Sequence, residues 1–213
     1  MIALIDYGAG NLTSVRKGFA AAGADLYTPG APADLANASA IVVPGVGHFG
    51  ATAALDGPWR EAILGAVRTG TPLLGVCLGL QWLFAGSEEA PGVRGLELLS
   101  GICRRLPSAF ASGFGGPGST LKVPHVGWNS LALTRRSPLL QGVPDGTQVY
   151  FTHSYAAPVT DAAVATTTHS DTFASIVEQG SVFGVQFHPE KSGAAGVRIL
   201  RNFVYIAACC RNA

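Results

Sequence analysis

Short apolar runs alternate with segments of helical periodicity along the first half of the chain. The apolar runs, which have the length and continuity of buried strands, lie at 2–5, 40–43 and 72–76. The segments that follow them repeat apolar residues every three or four positions, at 12–22, at 59–68 and from 78 onward. This alternation of strand and helix predicts a parallel sheet with helices on both faces.

The second half of the chain is mostly strand-like. Its short apolar segments lie at 101–106, 126–133, 148–153, 162–168, 173–178 and 181–187, and a helical pattern follows at 195–208. Because short strands that follow one another without helices pair antiparallel, we expect an antiparallel addition to the parallel sheet. The predicted fold class is therefore α/β, in a single domain over residues 1–213.

Composition and charge exclude several classes of protein. The 213 residues are 48% hydrophobic and 13% charged, which is typical of a globular domain and not of a disordered chain. The formal net charge of +1, without a basic run, argues against nucleic acid or an anionic membrane as a partner. The N-terminus has no cationic region before an apolar one, and no apolar stretch has the length of a membrane span. We therefore expect a cytoplasmic protein.

Neither a metal nor a cofactor is predicted. The four cysteines, Cys77, Cys103, Cys209 and Cys210, lack the spacing of a zinc site and are too few for a disulfide scaffold. The turn at 6–11, D-Y-G-A-G-N, lacks the third glycine of a dinucleotide-binding loop. Cys209 and Cys210 end an apolar helical pattern, so we expect them in the core.

The clearest chemical signal is the segment at 72–81, P-L-L-G-V-C-L-G-L-Q. An apolar strand runs into G-x-C-x-G and a helical pattern follows, as in the cysteine form of a nucleophile elbow. Glycines at 75 and 79 allow the close backbone approach of such a turn, and a helix N-terminus favours the thiolate of Cys77. The Leu78 amide would point at a developing oxyanion. The alternative is a buried cysteine between two packing glycines.

A base for this nucleophile is offered by H-P-E at 188–190, where an apolar strand ends. Residues two apart in extended chain share a face about 6.5 Å apart, so Glu190 can reach back to the imidazole of His188. The carboxylate would fix the tautomer and stabilise the imidazolium, as the acid of a catalytic triad does. The alternative is a surface histidine beside a solvated glutamate, which the elbow cysteine in the same chain disfavours.

A second glycine-rich turn follows the strand in I-V-V-P-G-V-G-H-F-G at 41–50. Gly45 and Gly47 would let backbone N–H groups face a ligand, which predicts the other half of an oxyanion hole. A simple turn fits this segment equally well. We further hypothesise that the peptide around Val46 is misoriented at rest and rotates when a partner binds, because glycine flanks it on both sides.

These segments together resemble the class I, triad-type glutamine amidotransferases. The finer resemblance is to HisH, the glutaminase subunits of imidazole glycerol phosphate synthase. It rests on D-Y-G-A-G-N (6–11), V-P-G-V-G-H-F-G (43–50), V-P-H-V-G-W-N (123–129), Y-F-T-H-S-Y (150–155), F-H-P-E-K-S-G (187–193) and R-I-L-R-N-F (198–203). The resemblance covers nearly the whole chain and implies a flavodoxin-like sheet of the amidotransferase type.

The resemblance also implies roles for individual residues. Cys77 would be the nucleophile, His188 the general base and acid, and Glu190 the orienting carboxylate. The oxyanion would be held by Leu78, Val46 and Gly47, and glutamine would be bound by Gly45, Gln81, Ser154 and Tyr155. His125 and Trp128 would support the structure behind the site.

Three residues are candidates for a partner interface or a passage for ammonia: Asn11, Tyr150 and His153. Each has a plainer interpretation: Asn11 as a helix cap, Tyr150 as strand packing and His153 as a satisfied polar group in the core. The glycine-rich segment at 109–120 is longer than the family pattern and is predicted to be a flexible surface loop.

A partner is implied because the predicted domain has no second site that could use the ammonia. The resemblance implies a HisF-type (β/α)8-barrel cyclase subunit, a heterodimer, and products of the histidine pathway. The alternatives are a glutaminase subunit of another pathway, a partner-independent γ-glutamyl hydrolase, and a non-catalytic regulatory subunit.

Overall fold

The computed structural model describes residues 1–110 and 120–210. The strands are β1 (Ile2–Leu4), β2 (Leu26–Tyr27), β3 (Ala40–Val43), β4 (Leu73–Val76), β5 (Gly86–Ser87), β6 (Ile102–Arg105), β7 (Ala109–Phe110), β8 (Thr120–Leu121), β9 (His125–Ser130), β10 (Ala132–Leu133), β11 (Gln148–His153), β12 (Tyr155–Ala156), β13 (Ala163–Thr168), β14 (Thr172–Gln179) and β15 (Val182–Val185). The α-helices are α1 (Leu12–Ala21), α2 (Pro58–Arg68), α3 (Leu78–Trp82) and α4 (Gly193–Cys209). Short 3-10 helices span Pro32–Asn37, Phe49–Leu55, Pro138–Leu140 and Pro189–Lys191.

The main sheet has eight strands in the order β10-β13-β14-β15-β4-β3-β1-β2. The five strands from β15 to β2 run parallel, and β14, β13 and β10 continue the sheet antiparallel. The order β2-β1-β3-β4 is that of a flavodoxin-like sheet. The predicted parallel sheet with an antiparallel addition is therefore confirmed.

Three adjacent parallel strands, β3, β4 and β15, bring their carboxyl ends together. Val43 of β3 is paired with Gly75 of β4, and Val76 of β4 is paired with Val185 of β15. All three strands are completely buried, which explains why each reads as an unbroken apolar run. The loops that leave these strands must therefore meet at one edge of the sheet, where open α/β sheets hold their ligands.

Helices cover both faces of the sheet, because alternate residues of each strand point to opposite sides. Ile2 and Leu4 of β1 belong to a core that contains Phe19 of α1 and Phe203 of α4. Ala3 and Ile5 belong to a second core, with side chains of α2 and α3 such as Ile63 and Trp82. The predicted helices on both faces are confirmed.

Two local expectations were wrong. The strand expected over 126–133 is divided, because β9 pairs only with β11 whereas β10 pairs with β13 at the edge of the main sheet. Cys209 and Cys210 are exposed instead of buried. The buried stripe of α4 contains Ile199, Phe203 and Ala207, and it leaves the last residues of the helix on the solvent side.

The segment at 109–120 lies partly outside the described residues. Its two ends pair antiparallel as β7 and β8, and the flexible loop predicted between them, over 111–119, is not among the residues that the structure describes. Among the helices of residues 1–110 and 120–210, none combines the length and the apolar character needed to cross a membrane.

Candidate active site

Cys77 stands in a strained turn between β4 and α3. Its φ of 54° is a left-handed conformation that few residues other than glycine adopt. A Cβ on Gly79 would overlap the carbonyl oxygen of Val43, and a Cβ on Gly75 would overlap the backbone of Gly79. The glycines of the elbow therefore permit the close contact between β3, β4 and α3 that raises Cys77 above the sheet.

His188 and Glu190 form a buried pair beside the elbow. The Nδ1 atom of His188 lies 2.8 Å from Oε1 of Glu190, and the two side chains are only 2% and 3% exposed. A carboxylate at that distance accepts a hydrogen bond from the Nδ1–H group, so Nε2 is the ring atom left to exchange a proton with other groups.

The environment of His188 favours its protonated form. Burial by itself lowers the pKa of His188, but the nearby sulfur of Cys77 and the carboxylate of Glu190 outweigh it and raise the pKa to about 10. Nε2 is buried and makes no hydrogen bond of ordinary geometry with the described residues, although Cys77 is near enough to influence its charge. This arrangement places an imidazolium beside the sulfur of Cys77.

Ser192 ties the loop of His188 to strand β11. Its hydroxyl donates to the carbonyl of His188 at 2.7 Å and accepts from the backbone N–H of Tyr150 at 2.9 Å. The backbone N–H of His188 in turn donates to the carbonyl of Tyr150 at 2.9 Å. These three bonds fix the backbone of His188 against β11, and no sequence motif identifies Ser192 as a site residue.

The glycine-rich turn after β3 lies directly against the elbow. The Leu78 N–H is directed at the carbonyl of Gly45 at 3.4 Å, so this amide is already engaged. Gly47 has a φ of 89°, and Val46 between them is 40% exposed. The hydroxyl of Tyr7 donates to the carbonyl of Pro44 at 2.8 Å and holds the start of the turn.

A cavity of about 240 Å³ opens over Cys77. Of the predicted site residues, nine line it: Val46, Gly47, Cys77, Leu78, Gln81, His153, Ser154, Tyr155 and His188. Its size suits an amino acid better than a drug-sized ligand, for which about 300–1,000 Å³ is usual. Gly45 and Glu190 lie behind the wall, where they act on Leu78 and His188.

The sequence matches the family model of the class-I glutamine amidotransferases over residues 3–207. The chain belongs to the class-I glutamine amidotransferases. Similar proteins include the HisH subunit of imidazole glycerol phosphate synthase from Halobacterium salinarum, which is 48% identical over 95% of this chain and 92% of that protein. The HisH subunit from Methanothermobacter thermautotrophicus is 47% identical over 97% of this chain and 98% of that protein. The predicted amidotransferase subunit of the HisH type is confirmed by these relatives.

Solved structures show the same fold at lower sequence identity. A glutamine amidotransferase has a TM-score of 0.72 and 18% identity over 98% of this chain and all of that chain. The glutaminase domain of Trypanosoma brucei CTPS, solved with bound acivicin, has a TM-score of 0.66 and 18% identity over 98% of this chain and 93% of that chain. At this identity the likeness shows the fold alone.

Two residues that line the amidotransferase cavity were not among the predicted site residues. Glu89 lies on the cavity wall, where its carboxylate accepts from the N–H of Phe49 at 2.7 Å, and Thr152 also lines the cavity. Glu89 belongs to a polar stretch without a pattern of its own, so only the fold shows that it reaches the site.

Three histidines pack together at one wall of the amidotransferase cavity. His153 lines the cavity, and its Nε2 lies 3.1 Å from Nδ1 of His125. The ring of His169 stacks on His125 at 4.2 Å. Burial is the largest cause that lowers the pKa of His125 to about 3 and that of His153 to about 4, so both rings are neutral near pH 7. The prediction that His153 is a satisfied polar group fits this arrangement.

The tautomers in this cluster follow from the hydrogen bonds at its ends. The Nδ1 of His153 faces the carbonyl of Tyr155 at 2.9 Å, which only an N–H can satisfy. The Nε2 of His153 must then accept, and Nδ1 of His125 must donate to it. The Nε2 of His125 accepts in turn from the amide of Asn129 at 3.2 Å. Among the described residues, no group of three or more histidine, cysteine or acidic side chains is arranged to hold a metal ion.

The candidate interface residues differ in their surroundings. The side chain of Asn11 accepts from the N–H of Ser14 at 3.1 Å, so it caps α1 as its plainer interpretation predicted. Tyr150 is half-buried and packs edge-on against Trp128, with ring centroids 6.1 Å apart. Trp128 was expected behind the site, and this was wrong: it is 57% exposed because alternate residues of β9 point outward while His125 points inward.

Proposed function

We propose that this amidotransferase hydrolyses glutamine at Cys77 and delivers the ammonia to a cyclase subunit of the HisF type. The observation that carries the proposal is the buried pair of His188 and Glu190 facing an elbow cysteine across a cavity of amino-acid size. The HisH relatives, which are 47–48% identical over nearly the whole chain, support the choice of pathway.

The reaction follows from the positions of the triad. The thiolate of Cys77 attacks the side-chain amide carbon of glutamine, and the proton on Nε2 of His188 passes to the leaving nitrogen as the C–N bond breaks. Water, deprotonated by the now neutral His188, then cleaves the glutamyl thioester and releases glutamate. Glu190 keeps Nδ1 protonated and stabilises the imidazolium between these steps.

Gln81 and Glu89 are suited to recognise the glutamine substrate. Both N–H groups of Gln81 are engaged, with the carbonyl of Tyr155 at 2.8 Å and with Gln186 at 3.2 Å. Its Oε1 is therefore the atom left to accept an N–H of the substrate. Glu89 is the one carboxylate among the described residues that line the cavity, and it suits the α-ammonium group of glutamine.

The oxyanion hole requires a rotation of the peptide that joins Gly45 to Val46. In a planar trans peptide the carbonyl and the N–H point in opposite directions. Because the carbonyl of Gly45 faces the Leu78 N–H, the Val46 N–H points away from it. Rotation of this peptide would free the Leu78 N–H and turn the Val46 N–H toward the oxyanion, as the hypothesis from the sequence requires.

Replacement of Val46 separates the rotation from simple packing. Val46→Pro removes the N–H, whereas Val46→Ala keeps it. If the rotation supplies an oxyanion donor, Val46→Pro lowers the partner-stimulated kcat by about 10²–10³-fold, while Val46→Ala stays near the wild-type value. Equal kcat values for Val46→Pro and the wild-type protein would refute the rotation and leave the triad untouched.

An exposed apolar surface near the site supports a protein partner. Trp128 and Val126, on the outward face of β9, are 57% and 56% exposed, and Tyr150 of β11 lies beside Trp128. Aromatic residues exposed in this way are enriched in interfaces between proteins. We call this surface the β9–β11 face and propose that the HisF-type barrel covers it. We place the complex in the cytoplasm, where free cysteines such as those of this chain are the rule.

A covalent probe tests the glutaminase chemistry without a partner. Acivicin is an amino acid with an electrophilic ring carbon, so the proposal predicts that it alkylates Cys77 and that excess glutamine protects. The readout is the mass of the peptide that contains Cys77, with Cys77→Ser as the control. Unmodified Cys77, or modification that glutamine does not slow, would contradict the proposed site.

A further inference from the structure

The side-chain amide of Gln186 contacts the nucleophilic sulfur. Its Nε2 lies 3.7 Å from Sγ of Cys77, within the range of an N–H···S hydrogen bond. Gln186 follows β15 and is fully buried, with its backbone N–H bonded to the carbonyl of Ser175 at 2.9 Å. It lies two residues before His188, so one short segment supplies two groups to the reacting sulfur.

The orientation of this amide is fixed by a chain of hydrogen bonds. The carbonyl of Tyr155 can only accept, so the atom of Gln81 that faces it must be Nε2. The same Nε2 faces Gln186 at 3.2 Å, so the atom of Gln186 there must be Oε1. The other end of the Gln186 amide, which faces Cys77, is therefore an N–H donor.

The imidazolium of His188 also faces the sulfur, but its Nε2 makes no hydrogen bond of ordinary geometry with the described residues. Two further groups near the sulfur do not replace the Gln186 donor either. The carbonyl of Thr152 lies 4.0 Å from Sγ and can only accept, so it offers the sulfur no donor. Helix α3 is five residues long and its first N–H, from Leu78, is directed at Gly45. The helix N-terminus therefore offers the sulfur less than the sequence analysis expected, and the Gln186 N–H contacts the sulfur directly.

We propose that Gln186 is a further catalytic residue, whose N–H stabilises the thiolate of Cys77 before attack and when the thioester is cleaved. A hydrogen bond from an N–H to a thiolate is charge-assisted, whereas the same bond to a thiol is weak. This role rests on the proposed function, in which Cys77 is the nucleophile. The claim about the sulfur itself is nevertheless measurable without glutamine.

The experiment measures alkylation of Cys77 by iodoacetamide as a function of pH. Cys209 and Cys210 are exposed, so all variants carry Cys209→Ser and Cys210→Ser, and the modified peptide is quantified by mass. Gln186→Met removes the N–H at similar volume. Gln179→Met is the matched control, because Gln179 is exposed and lies on the neighbouring strand β14.

The expected result is a deficit confined to lower pH. At about pH 6.5, Gln186→Met slows alkylation of Cys77 by about fivefold, and at high pH, where every variant is a thiolate, the rates converge. The alkylation rate of Cys77 in Gln179→Met equals, at every pH, the rate in the chain that carries only the two cysteine replacements. Equal rates at low pH, or an equal deficit at all pH values, would overturn the role of the N–H and leave only packing.

A second variant covers the case in which Gln186→Met does not fold. Gln186→Asn keeps a polar amide but is one methylene shorter, so it withdraws the donor from the sulfur and is expected to show the same deficit. A normal alkylation profile combined with loss of glutaminase activity would refute the thiolate role without refuting the proposed function. A different outcome is an alkylation deficit in the Gln186 variants although the chain with Gln186 intact has no glutaminase activity. That outcome would support the role of Gln186 and count against the proposed function.

Discussion

At the scale of single residues, the site depends on how buried groups influence the charge of His188. Its pKa is raised to about 10 although burial alone would lower it, because Cys77 and Glu190 both favour the imidazolium. His188 is thus protonated across the neutral range of pH, and in the proposed reaction this proton passes to the leaving ammonia.

Replacement of Glu190 tests this charge relationship. Glu190→Gln removes the carboxylate that raises the pKa of His188, so kcat for glutamine hydrolysis is expected to fall by about 10²–10⁴-fold. Because activity that needs protonated His188 is lost as pH rises through its pKa, the alkaline limb of the pH–rate profile moves to lower pH. The control is Glu61→Gln on the exposed face of α2. An alkaline limb unchanged in Glu190→Gln would contradict the assignment.

The residues that could be predicted are those whose signal is local in sequence. Cys77 lies between its own glycines, and Glu190 is two residues from His188, so short motifs identify them. The side chains of four other residues bond to partners 37 to 109 positions away: Tyr7, Glu89, Gln186 and Ser192. Their contribution depends on which loops the sheet brings together, and no short pattern contains that information.

At the scale of elements, the site is made by loops at the carboxyl ends of β3, β4 and β15 and braced by β11. The alternation of apolar runs and helices predicted the three parallel strands, because fully buried strands have an unmistakable composition. The division of 126–133 into β9 and β10 could not be predicted, because both halves have a strand-like pattern and the difference lies in the strands with which they pair.

The bond between β11 and the loop of His188 gives a prediction for Ser192. Ser192→Ala leaves the N–H of Tyr150 without its acceptor and frees the carbonyl of His188, so the imidazole is less well placed. We expect kcat to fall by about tenfold, with KM for glutamine nearly unchanged, because His188 acts in the chemical step. Ser137→Ala, which removes a hydroxyl from another 3-10 helix, serves as the control. A change confined to KM would contradict this role.

The histidines of β9 and β11 make stability depend on pH. His125 is neutral in the folded chain down to about pH 3, whereas the unfolded chain binds a proton below about pH 6.5. The unfolded state therefore gains protons as pH falls, and this contribution to stability, complete above pH 6.5, is lost below it. The free energy of unfolding should decrease between about pH 7 and pH 5.5. In His125→Gln this decrease should be about 1 kcal/mol smaller than in the wild-type protein.

Urea unfolding at several pH values measures this difference. His48→Gln, at an exposed position, is the control and is expected to keep the slope of the wild-type protein. An identical pH dependence in His125→Gln would show that the buried imidazole is not held neutral.

At the scale of the whole molecule, the β9–β11 face is the surface proposed for the partner. Trp128→Glu adds a charge to the centre of this face without disturbing a buried contact, so the melting temperature should stay the same while binding to the barrel subunit weakens. A loss of about 2 kcal/mol or more in binding is expected of a central aromatic residue. Tyr205→Glu, at an exposed aromatic on α4, is the control. Undiminished binding of Trp128→Glu would place the interface elsewhere.

The single domain predicted over 1–213 remains a prediction, supported by a main sheet whose strands come from residue 2 to residue 185. Thr152 and His153 of β11 line the cavity over Cys77. This proximity is the reason to propose that a partner on the β9–β11 face captures the ammonia.

The most direct test of this coupling is glutamate release from glutamine by the purified chain, alone and with a HisF-type cyclase and its ribonucleotide ligand. Low activity alone and a rise of at least about tenfold with the liganded partner are expected, and Cys77→Ala should abolish both. The same activity with and without the partner would contradict the coupling and favour a partner-independent hydrolase.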